Sequence, residues 1–128
     1  MADTLQVGRK LVELCNEGKN LEAINTLYDK NIVSVEVFGD EKMPRRMEGI
    51  DAIRGKNRWW FDCHEMHGQP EVRGPFPHGE RFVVFMKHDV TPKVGPHAGK
   101  RMTFEEAGLY TVRDGKIVQE EFFYDMGG

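Results

Sequence analysis

The sequence predicts a single α+β domain in which three N-terminal helices pack against one face of an antiparallel sheet. Two observations carry this prediction. Apolar residues in the first half recur mainly at helical spacing, whereas from Pro70 onward they alternate with polar ones. The chain also has 128 residues, which suits one ordinary domain and leaves no room for a second core. We therefore treat residues 1–128 as one domain.

The first two helices are short and amphipathic. Asp3 or Thr4 caps the first helix, and Gly18 is its expected end. Asn20 caps the second helix, which is expected to end in residues 29–31. The apolar positions that recur at helical spacing are Val7, Leu11, Leu14, Cys15, Leu21, Ile24, Leu27 and Tyr28.

A strand and a third helix follow. The period changes to two at Val33, where valines begin to alternate with Ser34, Glu36 and Phe38. Residues 39–48 show no period and are expected to form a loop. The third helix opens at Gly49 and is expected to run to about Met66. One side of this helix carries Ile50, Ile53, Asn57, Trp60, Phe61 and His64.

Strands and turns fill the rest of the chain. The predicted strands cover residues 71–76, 81–90, 102–112 and 116–125. A turn at 77–80, a loop at 91–100 and a tight connection at 113–115 separate them.

The composition excludes several classes of protein. The net charge of -3 provides no positive field for a phosphate backbone, so we expect no nucleic-acid partner. No stretch approaches the ~20 apolar residues of a membrane-spanning helix, and no basic segment precedes an apolar run at the N-terminus. The two cysteines, Cys15 and Cys63, are too few for a disulfide scaffold. We expect a soluble cytoplasmic protein with reduced thiols and no membrane partner.

Three features of the sequence resemble the nuclear transport factor 2-like superfamily. They are the element order, the Gly49-x-x-Ala52-Ile53 motif, and the run Val112-Arg113-Asp114-Gly115-Lys116-Ile117-Val118 before Phe122-Phe123-Tyr124-Asp125. Within the superfamily the chain looks most like the SnoaL-like proteins, named for a polyketide cyclase. The resemblance implies a cone-shaped curved sheet around a pocket, with the helices on its concave side and dimers common. In the cyclase pattern an acid/base residue lies on the last strand, but its position here is Phe122. The nearest acid in phase is Glu120.

The register of the final hairpin decides which side chains share a face. A two-residue turn on Asp114-Gly115 places Glu106 and Glu120 on opposite faces of the hairpin. A three-residue loop with Gly115 in the left-handed conformation, followed by a bulge, places both glutamates on one face. We expect the three-residue loop, because it gathers aromatic residues onto the face of both glutamates: Phe104, Tyr110, Phe122 and Tyr124.

Glu106 and Glu120 are the candidate catalytic residues. In the expected register they are diagonal neighbours, roughly 5 to 8 Å apart at Cβ. Two carboxyls that close in an aromatic cavity do not both ionise cheaply, so one keeps a proton near neutral pH and the other is a base. The alternative is that one or both are solvated charges of the hairpin.

Other side chains are expected to line the same pocket as substrate-binding residues. His88 is in phase with the apolar residues of its strand and points inward, either as a hydrogen-bonded core histidine or as a proton shuttle. Tyr110 and Tyr124 either donate to a developing oxyanion or are wall aromatics. The remaining expected contacts are Trp60, His64, Phe122 and Tyr28.

We expect no metal and no cofactor. His64 and His67 lie three residues apart, but no further ligand completes a recognisable set. The basic residues Arg45, Arg46, Lys56 and Arg58 are interpreted as solvated charges, the alternative being a clamp for a substrate carboxylate or phosphate.

The predicted function is a small-molecule pocket that supports cofactor-free proton transfer. The reaction would be isomerisation, dehydration or cyclisation of a largely apolar carbonyl compound, with Glu120 as the base and Glu106 or a tyrosine stabilising the oxygen. The alternative is a non-catalytic ligand-binding or association domain. A homodimer is expected through the outer face of the last strands, which carries the apolar residues Ala107, Leu109, Ile117 and Phe123.

Overall fold

The structure is a computed structural model and describes residues 3–124. It confirms the predicted α+β class. Its elements, in chain order, are α1 (Thr4–Asn16), α2 (Asn20–Leu27), β1 (Tyr28–Val35), β2 (Arg46–Glu48), α3 (Ile50–Cys63), β3 (His64–Met66), β4 (Glu71–His78), β5 (Arg81–Pro92), β6 (Met102–Arg113) and β7 (Lys116–Phe123). The predicted end of the last strand at residue 125 lies outside the described residues.

The strands form one sheet in the order β2-β1-β7-β6-β5-β3, and β4 also pairs with β5. Neighbouring strands are antiparallel except β1 and β7, which run parallel. The sheet is therefore mixed, and the expectation of antiparallel pairing throughout is wrong for β1 and β7. The parallel pair places residues from the first third of the chain beside the last strand.

The helices cover the concave face of the sheet. Asp3 starts α1 with the expected cap, because its carboxylate accepts a hydrogen bond from the Gln6 backbone N–H at 2.8 Å. Gly8 lets α1 approach β4 closely, since a Cβ there would lie 2.7 Å from the Cβ of Pro75. The apolar positions that the sequence pattern places inward form the core. Leu27 is partly buried, and the fully buried ones are Leu11, Leu14, Ile24, Ile53, Val84 and Tyr110.

Two helix boundaries differ from the prediction. The second helix ends at Leu27, and Tyr28 already belongs to β1, where it pairs with Ile117. The third helix ends at Cys63 rather than near Met66, because His64–Met66 has extended backbone and pairs with β5. Phe61 is 37% exposed, so its assignment to the buried side of α3 is also wrong.

The β6–β7 hairpin closes by a two-residue turn, so the predicted three-residue loop is wrong. Arg113 pairs with Lys116, and both turn residues have positive φ, 51° at Asp114 and 76° at Gly115. Positive φ at both central positions is the geometry of a type I′ turn, which matches the twist of a hairpin.

A bulge in β7 restores the phase that this turn would otherwise reverse. Val112 pairs with Ile117 but Thr111 pairs with Gln119, which leaves Val118 as the extra residue. Glu120 consequently returns to the face of Glu106, as predicted. Ile117, which precedes the bulge, also faces the core and is 0% exposed, so its assignment to the outer face is wrong.

Candidate functional site

The concave face contains polar groups that packing alone does not require. Among the described residues, the buried polar side chains are Ser34, His88 and Glu120. A buried ionisable group is costly unless it is paired or hydrogen-bonded. The partners of these three residues therefore define the candidate site.

Glu120 is the most buried carboxyl of this face, with 3% exposure. Its carboxylate accepts a short hydrogen bond from the Tyr28 hydroxyl, and Ser34 is the residue opposite it on β1. Burial raises the pKa of Glu120, while the Lys56 ammonium and the hydroxyls of these two residues act in the opposite direction. The net direction is upward, so Glu120 holds its proton more tightly than an ordinary glutamate.

Lys56 joins this network from α3. Its Nζ lies 2.8 Å from Ser34 Oγ and 2.6 Å from Glu36 Oε1, and it sits 4.8 Å from the centre of the Phe122 ring. Burial raises the pKa of Glu36, with Lys56 acting against it. The interpretation of Lys56 as a solvated charge is wrong, because its side chain is only 19% exposed.

The site also contains three residues that the sequence patterns did not predict there: Ser34, Glu36 and Lys56. A signal for Lys56 is its position three residues after Ile53, on the face of α3 that packs inward. Ser34 and Glu36 alternate with valines along the strand. This alternation shows that they share a face, but it does not say whether the polar residues or the valines face inward. In the structure Ser34 is opposite Glu120.

A second polar pair, His88 and Glu106, lies farther along the sheet. His88 Nε2 is 3.1 Å from Glu106 Oε1, and the two side chains are 9% and 15% exposed. The rings of Trp60 and Phe104 each lie 5.7 Å from the His88 ring. His88 thus points inward as predicted, into an aromatic surround.

His64 contributes to this surround indirectly. Its ring stacks on Trp60 with 3.8 Å between centroids, and its Nδ1 lies 2.8 Å from the Trp60 carbonyl oxygen. This contact fixes the Trp60 side chain over the concave face.

Glu106 and Glu120 share a face but are not the diagonal neighbours that the sequence analysis expected. Glu120 pairs with Tyr110, four residues along β6 from Glu106, which is ~13 Å along a strand. The two-residue turn and the bulge together displace β7 by two positions from the expected register. Each carboxyl consequently has its own partners, although Glu106 still adds to the upward pKa shift of Glu120.

The predicted tyrosines and Phe122 form the aromatic wall between these two polar groups. Tyr110 stacks on Phe82 at 5.0 Å, and Phe122 meets Tyr110 edge-on at 6.2 Å. Tyr124 packs edge-on against Phe104 at 5.2 Å, and burial raises its pKa to about 12. Burial also raises the pKa of Tyr110 well above its ordinary value. Both hydroxyls therefore keep their protons near neutral pH and can donate.

A groove of about 380 Å³ lies at the outer side of the sheet. Its lining contains the exposed charged residues Glu71, Arg73, Lys87 and Glu105 and also the apolar residues Phe85, Ala107 and Phe123. It meets the concave face at Met86, Glu106 and Tyr124. We place the candidate site on the concave face, because the buried and mutually bonded ionisable groups are there.

Neither metal chemistry nor a membrane span is indicated in the part of the chain that the structure covers. Across residues 3–124, no three His, Cys, Asp or Glu side chains come together as a metal site would require. No helix in the same range is long and apolar enough to cross a membrane.

Comparison with known proteins agrees with the fold. The SnoaL-like domain family matches residues 2–124. The chain belongs to this family. No curated protein matches the sequence.

Several solved structures have a fold similar to that of this SnoaL-like domain. A candidate SnoaL-like polyketide cyclase from Mesorhizobium loti is 37% identical, with a TM-score of 0.84 over 93% of this chain and 97% of that one. A candidate polyketide cyclase from Pseudomonas putida is 13% identical, with a TM-score of 0.73 over 97% and 92% of the two chains.

A third structure contains a bound small molecule. It is a Catenulispora acidiphila protein with a ketosteroid isomerase-like fold, in complex with trimethylamine. It is 17% identical to this chain, with a TM-score of 0.70 over 96% of this chain and 88% of that one. At this level of identity the likeness shows the fold alone.

Proposed function

We propose that this SnoaL-like domain binds a largely apolar carbonyl compound on its concave face and transfers a proton on it without a cofactor. The reaction class is isomerisation, dehydration or cyclisation. The observation that carries the proposal is the buried carboxyl of Glu120, whose pKa is raised among aromatic neighbours. A carboxyl with a raised pKa is a better general base near neutral pH than an ordinary glutamate.

Glu120 is the proton acceptor in this proposal. When it removes a proton from the carbon beside the carbonyl, the electron pair moves onto the carbonyl oxygen, which then needs a hydrogen-bond donor. Tyr110 pairs with Glu120 across the β6–β7 ladder, and burial keeps its hydroxyl protonated. Tyr110 supports the oxygen better than Glu106, which is engaged by His88.

One observation favours the alternative of a non-catalytic ligand-binding domain. Glu120 is only 3% exposed, and its carboxylate already accepts a hydrogen bond from Tyr28. In that case the network joins β1 to β7, and a ligand rests on Trp60 and the aromatic wall instead.

Hydrogen exchange on a simple ketone distinguishes the two functions. We would incubate 1-tetralone with the protein in D₂O and follow deuterium incorporation beside the carbonyl by NMR. The wild type should accelerate exchange, and Glu120→Gln should lower that rate by about 10²- to 10⁴-fold. Glu121→Gln, on the opposite face of β7, is the matched control and should exchange as the wild type does. Equal rates for the wild type and E120Q, with binding retained, would leave only the binding function.

We also propose a homodimer through the outer face of the sheet. Phe85 pairs with Ala107 and Ala107 with Phe123, and the two phenylalanines are 41% and 49% exposed. Burying such an exposed apolar row against a second copy of the chain stabilises the dimer. Sedimentation at micromolar concentration should report a dimer, and Phe123→Glu should give a monomer with an unchanged far-UV spectrum. A monomeric wild type contradicts the proposal.

A further inference from the structure

His88 has one ring nitrogen that forms no hydrogen bond with any of the residues that the structure describes. Nε2 is 3.1 Å from Glu106 Oε1, whereas Nδ1 is fully buried and has no hydrogen-bond partner among residues 3–124. The whole residue is 8% exposed. A buried polar atom without a partner costs about 1 to 3 kcal/mol, so such atoms are rare unless a function retains them.

The contact with Glu106 determines what Nδ1 is able to do. A carboxylate accepts hydrogen bonds and does not donate them, so Nε2 of a neutral His88 carries the proton. Nδ1 is then left with a lone pair and acts as an acceptor. No donor among residues 3–124, the Trp60 indole N–H included, makes a hydrogen bond to this lone pair.

We propose that His88 Nδ1 accepts a hydrogen bond from a hydroxyl group of the ligand, and that Glu106 is the positioning residue that fixes the required tautomer. This inference rests on the proposed binding of a carbonyl compound on the concave face. It narrows the ligand class to hydroxylated aromatic or cyclic ketones. The carbonyl lies at the Glu120 end of the site, and the hydroxyl lies at the His88 end.

The aromatic surround makes this contact selective. A ligand without the hydroxyl leaves Nδ1 buried and unpaired, so it loses the whole benefit of the contact. Ring contact with Trp60, which the stacked His64 holds in place, is open to both ligands and leaves the hydroxyl as the difference between them. We therefore expect a preference of about 3- to 10-fold for the hydroxylated member of a matched pair.

The test compares 1-tetralone with 6-hydroxy-1-tetralone, which differ only by the hydroxyl. Dissociation constants are measured by NMR titration for the wild type and two variants. In His88→Gln the amide nitrogen takes the place of Nε2 and keeps a donor to Glu106, but the acceptor at Nδ1 is gone. His78→Gln, at an exposed histidine of β4, is the matched control.

The wild type and H78Q should prefer 6-hydroxy-1-tetralone by the same ratio of dissociation constants, and H88Q should bind the two compounds with equal affinity. If the preference is absent in the wild type or survives in H88Q, the inference is wrong although ligand binding stands. If neither compound binds to the wild type, the proposed ligand class fails as well.

A ligand-free measurement checks the tautomer directly. The ¹⁵N spectrum at neutral pH should show an unprotonated Nδ1 and a protonated Nε2 for His88. Glu106→Ala should remove this bias and abolish the preference for the hydroxyl. A protonated Nδ1 in the wild type overturns the inference, whereas the proposed role of Glu120 as the base does not depend on this result.

Discussion

Replacing Tyr28 with Phe removes the hydroxyl that donates a hydrogen bond to Glu120 from β1, and it leaves the ring in place. Both residues are buried, so water does not readily replace the lost hydroxyl. A hydrogen bond to a charged group contributes about 1.5 to 3 kcal/mol. For a domain of this size we expect the melting temperature of Tyr28→Phe to fall by about 5 to 10 °C at pH 8.

The loss of stability should increase with pH. The Tyr28 bond lowers the pKa of Glu120, so removing it raises that pKa further above the ordinary 4.5. Below pH 4.5 the carboxyl is protonated in the folded and unfolded states alike, and the lost bond is a neutral one of about 1 kcal/mol. As the pH rises through the folded-state pKa, the carboxylate becomes charged and lacks its donor.

Tyr110→Phe is the matched control for this prediction. It removes the same hydroxyl from another fully buried tyrosine that faces Glu120, without breaking a hydrogen bond found among residues 3–124. Urea unfolding of both variants at pH 4 and pH 8 measures the difference. Equal losses in the two variants, or a Tyr28→Phe loss that does not change with pH, would refute the assigned role of the Tyr28–Glu120 bond.

Three further outcomes test the packing and charges of the site. Glu120→Gln should become more stable relative to the wild type as the pH rises from 4.5 through the folded-state pKa of Glu120, because an acid whose pKa is raised by folding destabilises the fold over that range. Urea unfolding that shows the same difference in stability at every pH contradicts this. Lys56→Met should raise the pKa values of Glu120 and Glu36, read from ¹³C NMR titration, because it removes the cation that lowers both; unchanged values contradict the network. Gly108→Ala should cost about 1 to 3 kcal/mol, since its Cβ would lie 2.8 Å from Tyr110 Cε2. Gly55→Ala in α3 meets no atom within 4 Å and should gain about 1 kcal/mol by thermal unfolding; the opposite ranking of the two variants would show that the packing is misassigned.

The helices and most strands were predictable because local patterns specify them. The capping group of Asp3 and the stripe through Leu11 and Leu14 depend only on neighbours within a few turns. The end of α3 was not predictable in this way. His64–Met66 continues a helical pattern, but pairing with the edge of β5 outweighs the local preference.

The site was predictable in part, through residues whose phase is visible in the sequence. Glu120 and His88 face inward as their strand alternation indicates. The register was not visible, because a bulge at Val118 leaves no signature in composition. Ser34 was missed because its burial depends on a partner, Glu120, that lies far along the chain.

The parallel pairing of β1 with β7 also decides when the site comes into existence during synthesis. Tyr28 and Glu120 lie 92 residues apart, yet they share a hydrogen bond across adjacent strands. While the ribosome is still producing the middle of the protein, α1, α2 and β1 have no β7 to pair with, and Ser34 has no carboxylate beside it. Contacts this distant in sequence close late and slow folding. The general base and its donors therefore assemble only after β7 has left the ribosome, and a nascent chain that lacks β7 exposes one long edge of β1 to other chains.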